Sequence, residues 1–209
     1  MRISRTVVAT VAAATALTVS VAGCGGNKTS SPTSTTKSGS ATSATSTSSS
    51  APASSAPAQP SDYTGLLIQA TDINAPVQFN GSPPVSNPNG QPGVATTFST
   101  QDNSHVIKDT IQVLSDAAAA TDALNAAKPG LAANIKDPQT GTVNVGNGAT
   151  TLSGNAPDKS KGVLILLFTE GKAFVTLEFY GPTDSLPPDD FVNDVAQKQD
   201  AAVKKGLGG

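Results

Sequence analysis

The stretch from Val163 to Tyr180 constrains the fold more than any other. Val163-Leu-Ile-Leu-Leu-Phe168 and Ala173-Phe-Val-Thr-Leu-Glu-Phe-Tyr180 are dense in strand-forming residues and flank Glu170-Gly171, a hairpin turn. With residues 168 and 173 opposed, Leu164, Leu166 and Phe168 share a face with Leu177, Val175 and Ala173. That face is wholly apolar and must be core. The other face carries Val163, Ile165 and Leu167 beside Glu178, Thr176 and Phe174. A face apolar on one strand and mixed on its neighbour is neither freely solvated nor an ordinary core. Either a helix covers it or it lines a groove. The expected cover is a C-terminal helix. As a groove, the face would present Val163, Ile165, Leu167, Phe174, Thr176 and Glu178 to a ligand.

That C-terminal helix starts at Pro187-Pro188-Asp189-Asp190, with its acids at the positive end of the dipole. Val192, Val195, Gln199 and Val203 form one side, with Phe191 and Ala202 adjoining. Lys204-Lys205 occupies the negative end and Gly206 stops the helix. Val94–Thr100 and Val106–Leu114 read as antiparallel strands joined by a short turn. Ser115 caps a helix over Ala117–Ala127, whose one large apolar anchor is Leu124. Pro129 breaks or kinks it, and Leu131 and Ile135 continue the stripe in a second short helix. Further strands are expected at Gly141–Val145 and Ala149–Ser153. Val77–Gly93 is punctuated by Asn80-Gly81, Pro83-Pro84 and Asn87-Pro88-Asn89-Gly90 and reads as a long, functional or mobile loop. The expected fold is α+β: an antiparallel sheet of about five or six strands with two helices packed on it, over residues 62–209.

Upstream of residue 62 nothing can build a core. Arg2 and Arg5 precede a moderately apolar stretch, Thr6–Ala22, which is too short and too rich in threonine for a membrane span. Residues 1–23 therefore read as a secretion signal. It closes on Val21-Ala22-Gly23-Cys24, which contains the single cysteine of the chain. Residues 24–61 are Ser, Thr, Pro and Ala with isolated Lys28 and Lys37, and they read as a disordered tether. The tether is either an unmodified spacer or a stalk O-mannosylated at residues such as Thr33, Thr35, Thr36, Thr45 or Thr47.

Chemistry is scarce. Only 13% of residues are charged and the net charge is −2, so no nucleic-acid partner is expected. One cysteine excludes an internal disulfide and a cysteine zinc site. His105, the only histidine, stands at the turn into a strand with no second ligand type near it in sequence, and reads as a solvated turn residue. The pair Asp189-Asp190 is explained by the helix dipole. Glu178 reads as a surface-exposed residue at a strand end; if it is covered, its carboxylate needs a partner, for which Lys161 and Lys172 are candidates. Gly146-Asn147-Gly148 leads into a strand and is no phosphate loop. No catalytic constellation, metal set or cofactor motif is present, so the domain reads as non-enzymatic.

Val21-Ala22-Gly23-Cys24 resembles the lipobox of bacterial lipoproteins. The resemblance implies cleavage between Gly23 and Cys24 and a diacylglyceryl group on Cys24. Two acyl chains, at about 0.8 kcal/mol per buried CH₂, anchor stably where one would not. The partner so implied is the outer face of the plasma membrane. The whole layout resembles small lipoproteins of mycobacteria and other actinobacteria. The helix after Ser115, Val143–Ala149, the hairpin through Glu170-Gly171-Lys172 and the end from Ala196 to Gly206 resemble PsbP-like lipoproteins and the extracellular sensor domain of a mycobacterial serine/threonine kinase. That sensor domain is expected to carry disulfides, and this chain has none. The resemblance implies a binding or sensing role and supplies no catalytic residue. Such a module is expected to recognise an envelope lipid, glycan or protein through the 77–93 loop and the mixed hairpin face. The alternative is a lipid or glycolipid carrier using a groove on that mixed face.

Overall fold

A computed structural model describes residues 62–208. The signal, Cys24 and the tether fall outside the described residues. The folded unit holds β1 (Phe79–Gly81), β2 (Val85–Ser86), β3 (Gly93–Thr100), β4 (Val106–Val113), α1 (Ala117–Ala132), β5 (Lys136–Gly141), β6 (Asn147–Asn155), β7 (Gly162–Glu170), β8 (Ala173–Gly181) and α2 (Asp189–Leu207). The class is α+β, with eight strands in one antiparallel sheet ordered β1-β3-β4-β8-β7-β6-β5 and β2 beside β3. The additional strands are short or polar. β1 and β2 lie inside the stretch read as a loop, and β5 is a polar edge strand. It replaces the strand expected at Gly141–Val145.

The 163–180 hairpin forms with a register two residues from the expected one. Phe168 faces Val175, and Glu170 faces Ala173, so Gly171-Lys172 makes the turn. Gly171 takes a positive φ of 53°, which a side chain would resist. A two-residue shift preserves parity, and the face assignment therefore survives. Leu164, Leu166, Phe168, Ala173, Val175 and Leu177 join one core cluster, while Val163, Ile165, Leu167 and Phe174 join another.

The mixed face is covered by α1 and not by the C-terminal helix expected there. α1 lies across β7 and β8 on the mixed face, where Ala120 and Leu124 meet Ile165, Leu167 and Phe174. Asp116, rather than Ser115, caps α1, its carboxylate accepting from Ala119 N at 2.8 Å. Pro129 sits within α1, which continues to Ala132 without a second helix. α2 joins the wholly apolar face through Val192, Val195, Ala196 and Val203. Gly206 does not stop α2; Gly208, with φ 77°, forms its C-cap.

Residues 62–75 complete that apolar face, with Leu66, Leu67 and Ile68 buried. They are clamped by Gln199, which is 0% exposed. Its Oε1 accepts from Ile68 N at 3.1 Å and its Nε2 donates to Leu66 O at 2.7 Å. Lys198 Nζ adds a bond to Asp72 O at 2.7 Å. A Cβ at Gly206 would meet the end of the Leu66 side chain, which would have to shift to admit it.

Candidate functional site

A cleft opens where the wholly apolar face reaches the start of β4 and the end of β8. Its volume is about 550 Å³. Phe79, Ile107, Phe179 and Phe191 supply the apolar surface. The first three are buried sheet residues, and Phe191 comes from the first turn of α2. Phe179 and Phe191 meet edge to face, with centroids 6.1 Å apart. Pro76, Pro187 and Pro188 stiffen the rim. Val77 and Leu186 also line it, and they are 47% and 43% exposed. Large exposed aliphatics on the rim of an apolar concavity are the usual mark of a contact surface.

A smaller pocket lies at the same strand ends on the mixed face of the sheet, and Val106, Tyr180 and Gly181 line both. Asn103, Ser104, Ser160 and Lys161 line it. Tyr180 stands between two cations: Lys161 Nζ is 4.8 Å and Lys108 Nζ 5.0 Å from its ring centroid. The Tyr180 hydroxyl donates to Glu178 Oε2. Burial, then the bond to Glu178 and its negative charge, push the phenol pKa up. Tyr180 is thus a fixed neutral donor. Glu178 takes this hydroxyl as partner, and neither Lys161 nor Lys172 pairs with it among the described residues.

The turn between β3 and β4 is ordered by one carboxylate. Asp102 Oδ1 accepts from Thr100 Oγ1 at 2.7 Å, Ser104 N at 3.1 Å and Ser104 Oγ at 2.9 Å. Those bonds lower its pKa to about 2. His105 Nδ1 lies 2.9 Å from Ser104 Oγ. The serine has one proton and gives it to Asp102, so Nδ1 is the donor in that bond. The pair is therefore not a nucleophile with its base. His105 lines the cleft as an orienting polar group.

The mixed-face residues stand elsewhere. Val163, Ile165, Leu167 and Phe174 are 0 to 6% exposed beneath α1, and Thr176 is 8% exposed. Only Glu178 is partly open. This face is packed, and none of the six lines either cavity. Alanine at positions 120, 123 and 127 brings α1 close enough to fill the space a groove would need. The 77–93 stretch contributes only Val77 and Phe79 to the cleft.

Asp109 escaped notice as a candidate. It is 0% exposed on the apolar face of β4, opposite Leu177, and neither carboxylate oxygen has a hydrogen-bond partner among the described residues. Burial pushes its pKa well above the ordinary carboxylate range, so it is held as the neutral acid. The period-two alternation of β4 sets it on the side of Ile107, Ile111 and Val113. Among the described residues no cluster of His, Cys, Asp and Glu could hold a metal. No described helix is long and apolar enough to cross a membrane.

No family model and no curated protein matches the chain. Among solved structures, the fold is similar to the extracellular domain of PknH from Mycobacterium tuberculosis, with a TM-score of 0.51 at 10% identity. The likeness covers 70% of this chain and 95% of that one. The architecture shared is thus that of a mycobacterial extracellular domain, which agrees with the coarse part of the resemblance carried by residues 115–206.

Proposed function

We propose that this chain is a lipoprotein of the actinobacterial envelope, anchored to the outer face of the plasma membrane through Cys24, and that its folded domain is a non-enzymatic binding or sensing module. The observation that carries the binding role is the cleft of about 550 Å³, apolar in its depth and rimmed by exposed Val77 and Leu186. Its volume is of the order that holds one small ligand, about 300–1,000 Å³. The fold's likeness to an extracellular domain supports an extracytoplasmic role. The lipobox at residues 21–24 and the Ser/Thr/Pro stretch behind it support the anchor.

Two measurements test the reading. Membrane fractionation of Cys24→Ala in an actinobacterial host should move the protein to the soluble fraction; retention in the membrane would defeat the anchor. Nile red, whose emission rises in apolar surroundings, should bind the full chain carrying Cys24→Ala. Adding Leu186→Asp and Val77→Asp should weaken that binding about tenfold or more, since two buried apolar contacts are replaced by carboxylates. Unchanged binding would remove the cleft as the site.

A further inference from the structure

We propose that the cleft receives a basic peptide segment of a partner protein, with one large apolar side chain in the aromatic depth and a lysine or arginine beside it at the rim. The inference rests on the cleft being a binding site and adds the chemistry of its occupant. The apolar and acidic parts belong to one cavity. Asp190 and Phe191 are consecutive in the first turn of α2 and both line it, as does Asp194 one turn further on. Among the described residues no lysine or arginine lines it.

Charge complementarity fixes the sign of the partner. Residues 62–209 hold nine lysines, no arginine and fifteen acids, a formal charge of −6 that the whole-chain value of −2 conceals. The imbalance is concentrated in the two stretches that wall the cleft. Residues 62–107 carry three acids and residues 179–197 four, and neither stretch has a lysine or arginine. Lys198, next along α2, is taken up by Asp194 at 2.8 Å and by Asp72 O at 2.7 Å. Asp190 is exposed and forms no ion pair among the described residues; its Oδ1 accepts from Phe191 N at 3.0 Å. A cation at the mouth therefore meets a carboxylate that no lysine has taken. A second copy of this domain, or an anionic surface, would set acid against acid.

Shape favours a chain segment over a molecule held wholly inside. The rings of Phe79, Phe179 and Phe191 suit one large apolar side chain. Val77 and Leu186 remain 47% and 43% exposed, so apolar surface continues past the mouth, where the residues flanking that side chain would cover it. The rim prolines hold this surface in one shape and limit the ordering cost of binding.

The test titrates three end-blocked hexapeptides, by calorimetry, against the full chain carrying Cys24→Ala: Lys-Lys-Phe-Leu-Lys-Lys, Glu-Glu-Phe-Leu-Glu-Glu and Lys-Lys-Gly-Gly-Lys-Lys. The first should bind about fivefold tighter than the second, since exposed ion pairs are each worth a few-fold and the positive end of α2 opposes them. Salt should narrow that gap. The third should bind at least about tenfold weaker than the first, for want of the apolar anchor. Asp189→Asn with Asp190→Asn should erase the preference for lysine over glutamate, and Asp190→Lys should reverse it; both positions are exposed, so the fold is retained. Val77→Ser with Leu186→Ser should weaken the first peptide without changing the charge of the rim. Equal affinity for the first two peptides, a preference that survives Asp190→Lys, or equal binding of the first and third would overturn the inference and leave the cleft intact. Nile red binding with no peptide bound would overturn it too, and dodecylamine binding in that case would assign the charge selection to a cationic amphiphile. Failure of Nile red and of every peptide would instead remove the cleft reading beneath it.

Discussion

The two faces of the sheet are closed by helices of opposite kinds. α1 buries only Ala120 and Leu124, and the large side chains that fill its interface come from the sheet. α2 buries Val192, Val195, Ala196, Gln199, Asp200 and Val203, and its layer is completed by residues 62–75. A helix of small residues settles onto the strands and leaves no room. A composite cover made of a helix and a separate segment has a joint, and the cleft lies at its end, between residues 74–79 and the first turns of α2. Space for a ligand thus arises where the cover is assembled from two parts, and it is missing where one helix does the work.

The largest expected effect on this contrast comes from the core that the composite cover protects. Phe168→Ala should lose about 3–5 kcal/mol, because the side chain is fully buried and the strands around it cannot collapse into the cavity. Urea unfolding measures it, and a loss below 1 kcal/mol would mean that this face is loosely packed. Next is the clamp. Gln199→Leu strands Ile68 N and Leu66 O and should lose about 2–3 kcal/mol. Hydrogen exchange should then accelerate over residues 63–73 and stay unchanged in α1. Equal acceleration in both would erase the distinction between the covers.

Asp109→Val should act in the other direction. It replaces an unsatisfied buried acid with a side chain of similar volume and should stabilise by about 1–3 kcal/mol at pH 7. The pH dependence has a defined sign. Burial raises the folded-state pKa of Asp109 above its unfolded value. The unfolded chain therefore releases this proton first, and the contribution of Asp109, full below the unfolded pKa, is lost as pH rises toward the folded one. Valine should remove that slope from the wild-type difference curve between pH 4 and 7. The smallest effect belongs to α1: Asp116→Ala should lose about 1 kcal/mol, the usual worth of an N-cap, read as a small drop in Tm.

How much of this was legible follows from which features tolerate error. The face assignment of the hairpin was legible because strand parity is unaffected by a register error of two residues. The register itself was not, because Glu170-Gly171 and Gly171-Lys172 serve equally as turn dipeptides. Which helix covers which face could not be read either: a stripe of valines and a stripe of alanines each suit an apolar strand surface. β5 was hidden by its composition, Lys136-Asp-Pro-Gln-Thr-Gly141, which is polar throughout and pairs on one side only. Pro129 was no boundary: it forfeits the N–H that would bond to Asn125 O, yet only one further turn of α1 follows it, to Ala132. The cleft was invisible because residues 74–79, 105–107, 179–181 and 185–194 meet only through the β1–β3 and β4–β8 pairings and the packing of α2. Glu178 reads in sequence as an exposed residue at a strand end or, if covered, as one needing a partner, and the Tyr180 hydroxyl is that partner; Asp109, which has none among the described residues, carries no signal beyond its place in a strand.

The β4–β8 pairing also bears on how the domain comes together in time. β1 to β4 form one run of neighbouring strands and β5 to β8 another, and only the register that sets Val106 against Tyr180 unites them. Contacts so distant along the chain carry the greatest closure entropy and form slowly. The cleft straddles that seam, with His105–Ile107 on one side and Phe179–Gly181 on the other. A ligand held there would act as a stitch between two half-sheets. It would add nothing to either half alone, it would hold the finished domain shut by RT ln(1 + [L]/Kd), and it would exist as a binding partner only for chains that have completed folding.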